Sequence, residues 1–300
     1  MTSGDAPPIW LIAGATASGK SALAMALAAQ INGDIVNADS MQVYADLRVL
    51  TARPSVDDET RAPHHLFGNV DGASAWSVGH WLRAASPVLR QIAARGRPAI
   101  VVGGTGLYFR ALTEGLADIP PTPPAVRDAA TARYDAVGET AFRAALAQVD
   151  PVSEARISSG DRQRLIRAFE VHAATGRCLS DWRSTTRAPL DGRLWRGVVV
   201  DPPREVVYRR CDERLSAMFD GGAIDEVAAL TARGLNRGLP VMKALGVAPI
   251  QAFLAGDMTR EAALAAAQQD TRRYAKRQLT WFRNQTTDWE RSDGGVKNPR

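Results

Sequence analysis

Residues 14–21, Gly14-Ala15-Thr16-Ala17-Ser18-Gly19-Lys20-Ser21, satisfy G-x-x-x-x-G-K-[ST] at every fixed position. This pattern constrains the fold because it works only between a strand and a helix. The flanks meet that condition. Ile9 to Ala13 form a short apolar run, and the stretch from Ser21 onward is rich in helix formers, with Leu23 and Leu27 one turn apart. A loop held in this way offers the backbone N–H groups of Ala17 to Lys20 to a diphosphate, helped by the positive end of the helix dipole. Lys20 adds a point charge. The Ser21 hydroxyl is a natural metal ligand, and Mg2+ is the expected metal.

Further apolar runs at Asp34–Ala38, Pro98–Val102 and Leu194–Val200 alternate with helical patterns. Continuous apolar strands of this kind predict an α/β fold, a P-loop parallel sheet covered by helices on both faces. The texture changes at Ile119–Pro124 (IPPTPP), which reads as a stiff linker or hinge. From Ala125 to about Arg187 only helical pattern is present, with Gly176 as a C-cap. The expected organisation is therefore a core of residues 1–117 and 188–300 carrying an all-helical insertion, 118–187. From Arg204 to the end the pattern is mostly helical.

Cys178 and Cys211 are the two cysteines, too few for a disulfide framework or a Cys-x-x-Cys metal site. His64, His65, His80 and His172 lack zinc-ligand spacing. The opening MTSGDAPPIWLIAG has no basic leader region. No stretch approaches the roughly 20 apolar residues of a membrane span. A cytoplasmic protein is expected, and its formal net charge of +5 favours anionic partners.

Phosphoryl-transfer P-loop enzymes normally carry an aspartate near the metal at the end of a later strand. Here the best such strand ends Val102-Gly103-Gly104-Thr105, without an acid, and the nearest carboxylate is Asp39, after the second strand. A diphosphate site without that acid suits chemistry in which diphosphate leaves intact. Two rival readings exist. A P-loop kinase of a nucleotide or small metabolite would bind ATP and needs an acid at the metal. A non-catalytic RNA-binding module leaves the intact P-loop unexplained.

GATASGKS, ADSMQVY, TARP, PHHL, VVGGTGLY, DRQRLIRAFEV and TRRYAKRQLTWFRNQ follow one another between residues 14 and 285. Together they resemble the successive signature blocks of the tRNA dimethylallyltransferase family, bacterial type. Some positions depart from the family pattern. Ala15 replaces a usual proline, Leu50 a usual glycine and Arg53 a usual lysine, so no roles are assigned within residues 45–54.

The resemblance implies prenyl transfer from dimethylallyl diphosphate, with magnesium, to the N6 amine of the adenosine immediately 3′ of the anticodon. The partners are then tRNA, held by its anticodon stem-loop, and dimethylallyl diphosphate, and a monomer is expected. Adenine N6 is a poor nucleophile, so the allylic carbon must gain cationic character as diphosphate departs. Cations must meet the leaving group, a base must take the amine proton, and water must be kept out. Lys20 and the P-loop serve the first need. Arg210 and Arg214, at i, i+4, resemble the family's diphosphate-contacting region, with Arg210 the preferred match.

Asp39 is the candidate base, because the amine proton becomes acidic once nitrogen begins to bond carbon. Ser40, Met41 and Gln42 share its block, and Gln42 could read the target base through its amide. Thr105 follows two glycines that permit close approach to the nucleotide. For the RNA body the candidates are Arg127, then Gln163, Arg164, Leu165, Ile166 and Arg167 on an insertion helix. Arg272, Arg273, Lys276 and Arg277 complete them, a basic stripe followed by Trp281 and Phe282. Those two aromatics read as core.

Overall fold

In the computed structural model, which describes residues 9–184, 186–191 and 194–293, the apolar runs become strands buried on both faces. The strands are β1 (Ile9–Gly14), β2 (Asp34–Asn37), β3 (His64–His65), β4 (Ala99–Gly103), β5 (Trp195–Val200) and β6 (Glu290–Ser292). They form one sheet in the order β3-β2-β4-β1-β5-β6, with every neighbouring pair parallel. Successive side chains point to opposite faces. Leu11, Val36, Val101 and Val199 enter one apolar cluster, and Trp10, Ile12, Ile35, Ile100 and Val198 enter the other. This is the α/β fold that the sequence predicts.

Two strands have no counterpart in the sequence reading. β3 is two residues long, and β6 is the polar tripeptide Glu290-Arg291-Ser292, paired through its backbone to Val198–Val200. Neither carries a run of apolar side chains. The eight residues at the start, within the segment read for a leader, lie outside the described residues.

Four helices accompany the first strands. α1 (Lys20–Ile31) buries Leu23, Ala24, Leu27 and Ala28 on one face of the sheet. α2 (Val56–Arg61) opens with a reciprocal Ser55–Asp58 capping box. In α3 (Val78–Ala94) the Ser77 side chain accepts from His80 N, and Trp81, Ala85, Leu89 and Ile92 recur on the buried side. α4 (Gly106–Thr113) follows β4 directly.

Glu114–Pro189 form a separate compact unit, containing α5 (Pro124–Val149), α6 (Pro151–Arg156), α7 (Arg162–Thr175) and α8 (Leu179–Ser184). Phe142, Leu146, Leu165, Ala168 and Val171 make its own core. α5 is interrupted at Gly138, whose φ of 74° is left-handed. The IPPTPP segment lies inside this unit. Ile119 packs on its core, and Thr122 accepts a hydrogen bond from Arg167 at 2.9 Å. These contacts tie the segment, read from the sequence as a stiff linker or hinge, to the helices of its own unit.

The chain from Leu190 onward returns to the first unit, which also holds the residues up to Thr113. There α9 (Arg204–Asp220), α10 (Ala223–Ala232), α11 (Val247–Leu254) and α12 (Arg260–Gln285) follow. α12 buries Ala263, Ala267, Thr271, Ala275, Gln278 and Phe282 at spacings of three and four, so it faces the core along most of its length.

Candidate active site

All strands are parallel, so the loops after β1, β2 and β4 emerge at one edge of the sheet, where ligands of open α/β sheets bind. The first loop needs its glycines. A Cβ on Gly14 would fall 2.6 Å from Ser18 Oγ and 2.8 Å from the Val200 carbonyl oxygen. Gly19 caps α1 with a φ of 102°. Within the loop Ser18 N donates to the Ala15 carbonyl at 3.2 Å. Ala15 itself is buried against Val207, Cys211 and Ala275, so alanine is accommodated there.

Lys20 is buried, with Nζ 3.3 Å from the Ala15 carbonyl oxygen. Desolvation lowers its pKa to about 8; Asp39 partly opposes that and Arg214 adds to it. Two arginines one turn apart on α9 reach the loop. Arg210 donates to the Ser18 carbonyl at 3.3 Å, and Arg214 to the Thr16 hydroxyl. Helical spacing turns both toward the loop. Burial presses the Arg214 guanidinium below the usual arginine range.

Arg214 Nε and Ser18 Oγ are buried without a hydrogen-bond partner. An unpaired buried polar group costs about 1–3 kcal/mol. Two of them beside one phosphate-type loop mark a place where a polar ligand fits. Ser21 stands exposed in the first turn of α1, next to the same loop.

Asp39 sits in the loop after β2. Its backbone nitrogen donates to Asn37 Oδ1 at 2.8 Å, and its own Oδ1 accepts from Met41 N at 2.9 Å. One carboxylate oxygen therefore holds the turn. Asn37 Nδ2 adds bonds to the Asp39 and Leu66 carbonyls, 3.0 Å each, and Asn37 O accepts from Trp81 Nε1 at 2.7 Å. The β4 loop meets this one closely. A Cβ on Gly103 would lie 2.1 Å from Ala38 backbone atoms, and Thr105 Oγ1 accepts from Ser40 N at 2.9 Å. Lys20, Asp39 and Thr105 therefore gather at one sheet edge with the P-loop.

Other expected residues stand differently. Gln42 Nε2 donates to the Thr51 and Ala52 carbonyls at 2.9 Å each, and Met41 is half-buried on the core. Gln42 thus braces the 45–54 loop with both amide hydrogens. Glu226 caps the same loop by accepting from the backbone nitrogens of Arg48, Val49 and Leu50. Leu50, the departure from glycine, is buried near Gly246.

On α12, Arg273, Lys276 and Arg277 are exposed, Arg273 lying 3.5 Å from Asp270, and the less exposed Arg272 is ion-paired to Asp212 at 2.6 Å. Phe282 is buried; Trp281 is half-buried against Gly106, where any Cβ would meet its ring at 2.3 Å.

In the helical unit, Gln163 and Arg164 are exposed, and Arg164 pairs with Asp161 at 3.2 Å. Arg127 and Arg167 share the buried Glu170 carboxylate, at 3.4 and 2.6 Å. Leu165 and Ile166 are 0% and 7% exposed. Their side chains belong to that unit's core. Spacing along α7 turns them inward while their neighbours face out.

Sequence reasoning missed Gln278 and Tyr274. Gln278 Oε1 accepts from Thr16 N, and Nε2 donates to the Gly104 carbonyl, both at 2.8 Å. Burial raises the Tyr274 phenol well above its usual range, and its hydroxyl contacts the Thr105 and Gln278 side chains. Both residues fall within TRRYAKRQLTWFRNQ, whose basic and aromatic residues drew the reading; a buried glutamine carries no periodic signal.

A glycine-rich loop at the carboxyl edge of a parallel sheet, faced by a buried lysine and two arginines with a carboxylate adjoining, has the form of a P-loop α/β enzyme. The chain matches the IPP transferase family over residues 42–285 and the isopentenyl transferase family over residues 7–63. It is 59% identical over 285 residues to a tRNA dimethylallyltransferase of Phenylobacterium zucineum (strain HLK1), covering 95% of this chain and 92% of that protein. It is also 59% identical to one of Caulobacter sp. (strain K31), covering 94% and 92%. Among solved structures, it resembles a tRNA isopentenylpyrophosphate transferase of Bacillus halodurans with a TM-score of 0.66 at 33% identity, covering 95% and 89%. A eukaryotic dimethylallyltransferase acting on tRNA superposes with a TM-score of 0.79 at 25% identity, covering 91% and 69%. This chain belongs to the tRNA dimethylallyltransferase family.

Proposed function

We propose that this enzyme transfers a dimethylallyl group from dimethylallyl diphosphate to the N6 amine of the adenosine immediately 3′ of the anticodon of tRNA. It releases diphosphate and works in the cytoplasm as a monomer. Among the described residues no helix is long and apolar enough to cross a membrane. The observation that carries the reading is the convergence of a cationic diphosphate cradle and the Asp39 carboxylate at one sheet edge. The β4 end, where a kinase would place its metal-binding acid, is instead Gly103-Gly104 packed on the Ala38 backbone and on Gln278.

The P-loop amides, Lys20, Arg210 and Arg214 hold the diphosphate and stabilise the charge that grows on it. The allylic carbon–oxygen bond breaks, the carbon–N6 bond forms, and the amine proton passes to Asp39. Asp39 keeps one oxygen in its turn, so the other is the acceptor. Thr105, anchored by Ser40, lines the approach of the nucleotide. The target base must leave its stack in the anticodon loop, which costs a few kcal/mol.

The Ser21 hydroxyl is a hard oxygen donor beside the P-loop. Such a site suits Mg2+, which takes most of its ligands from substrate phosphates and water. Once bound through Ser21, it would add positive charge against the departing diphosphate. For the RNA, the exposed Arg273, Lys276 and Arg277 supply phosphate contacts, with Gln163 and Arg164 in the helical unit.

The test is incubation with radiolabelled dimethylallyl diphosphate, or with labelled ATP, with and without unmodified tRNA. Label should enter tRNA from the prenyl donor alone. ATP turnover stimulated by tRNA, without prenyl transfer, would sink the reading.

A further inference from the structure

Thr16, in the P-loop, and Gly104, after β4, are joined by one side chain from neither loop. Gln278 of α12 is 6% exposed, accepts from Thr16 N and donates to the Gly104 carbonyl, 2.8 Å in each case. The amide orientation follows from chemistry: Thr16 N can only donate and the Gly104 carbonyl can only accept. Space is tight at the junction, since a Cβ on Gly104 would fall 2.3 Å from Gln278 Nε2. The same point lies 3.4 Å from Asp39 Oδ2 and 3.4 Å from the Gly14 carbonyl oxygen. The leaving-group loop, the candidate base and the Gln278 amide therefore converge around one glycine.

Two neighbours complete the arrangement. Arg214 holds the Thr16 hydroxyl, so residue 16 is fixed through its backbone from α12 and through its side chain from α9. Tyr274, one turn before Gln278, contacts the Thr105 and Gln278 side chains. A methionine would fill similar space without either bond. A carboxamide is needed only if both loops must be held at a set separation.

We propose that Gln278 is a positioning residue for prenyl transfer, its carboxamide setting the spacing between the diphosphate-holding loop and the loops that carry Asp39 and Thr105. This rests on the reaction proposed above. A misplacement of about 1 Å between reacting groups costs about 10²-fold in rate, which is the scale of effect such a strap controls.

The experiment compares wild type, Gln278→Met and Gln278→Glu as full chains, with labelled dimethylallyl diphosphate and unmodified tRNA. Wild type that transfers no label overturns the reaction itself, independently of Gln278. With active wild type, Gln278→Met should lower kcat about 10²-fold while tRNA affinity stays unchanged. Gln278→Glu keeps an acceptor for Thr16 N but, when ionised, opposes an oxygen to the Gly104 carbonyl. Its protonated form restores a donor there, so its kcat relative to wild type should rise as pH falls from about 8 to about 6. Lys20, Asp39, Arg214 and Tyr274 face the position equally in both proteins, so the ratio isolates the substituted group. A purely structural role predicts a lower melting temperature with wild-type kcat in Gln278→Met, and a pH-independent ratio in Gln278→Glu. Either result overturns the proposal, and the second decides it if the methionine variant does not fold.

Discussion

The Thr105 hydroxyl oxygen accepts the Ser40 amide at 2.9 Å, which joins the end of β4 to the loop that carries Asp39. Thr105→Val removes the acceptor and leaves a partly buried N–H unpaired, at about 1–3 kcal/mol. The loop should shift, and kcat should fall by about 10-fold or more, whereas Thr105→Ser should retain most activity. Steady-state kinetics of the pair decide. A valine variant with wild-type kcat would make the contact dispensable.

Asp39→Asn separates the base from the turn. Asparagine still offers Oδ1 to Met41 N, so the loop keeps its shape. Removing the base alone should lower kcat by about 10²–10⁴-fold with little change in tRNA affinity. Near-normal kcat would mean that Asp39 only holds the turn.

Lys20 gives a pH signature. Burial lowers its free-enzyme pKa to about 8, and an anionic ligand raises it again, so binding above that pH takes up a proton. Affinity for inorganic diphosphate should be full below about pH 8 and fall about tenfold per unit above it. Binding that stays flat to pH 10 would contradict the placement of Lys20 against the phosphates. Stability moves the other way. The unfolded lysine binds a proton more tightly than the folded one, so resistance to unfolding should rise between about pH 8 and 10.5.

The basic stripe of α12 should divide by exposure. Arg273, Lys276 and Arg277 are exposed, while Arg272 is occupied by Asp212. Each lost phosphate contact should flatten the salt dependence of tRNA binding by about one unit of slope. Arg277→Ala and Lys276→Ala should show that change, and Arg272→Ala less of it. Affinity against salt for these variants is the check, and equal slopes throughout would place the RNA elsewhere.

The sheet core and the P-loop were legible because each rests on local pattern, an apolar run for the strands and fixed glycines for the loop. The polar β6 and the two-residue β3 were not, since edge strands pair by backbone and need no apolar run. Leu165 and Ile166 show the same limit within one motif. A block of consecutive residues on a helix points in every direction, and only packing separates Arg164, exposed, from its inward neighbours. Gln278 lay beyond reach for another reason. Its two partners are 262 and 174 residues away, a long-range closure that no sequence spacing encodes.

The central claim is that the P-loop holds a diphosphate that departs whole. The most direct measurement counts released diphosphate against modified adenosine in one reaction with dimethylallyl diphosphate and unmodified tRNA. The account predicts equal amounts, with the modification on N6 of the adenosine 3′ to the anticodon, and neither product with Lys20→Ala. Orthophosphate in place of diphosphate, or diphosphate released without modified adenosine, would contradict it.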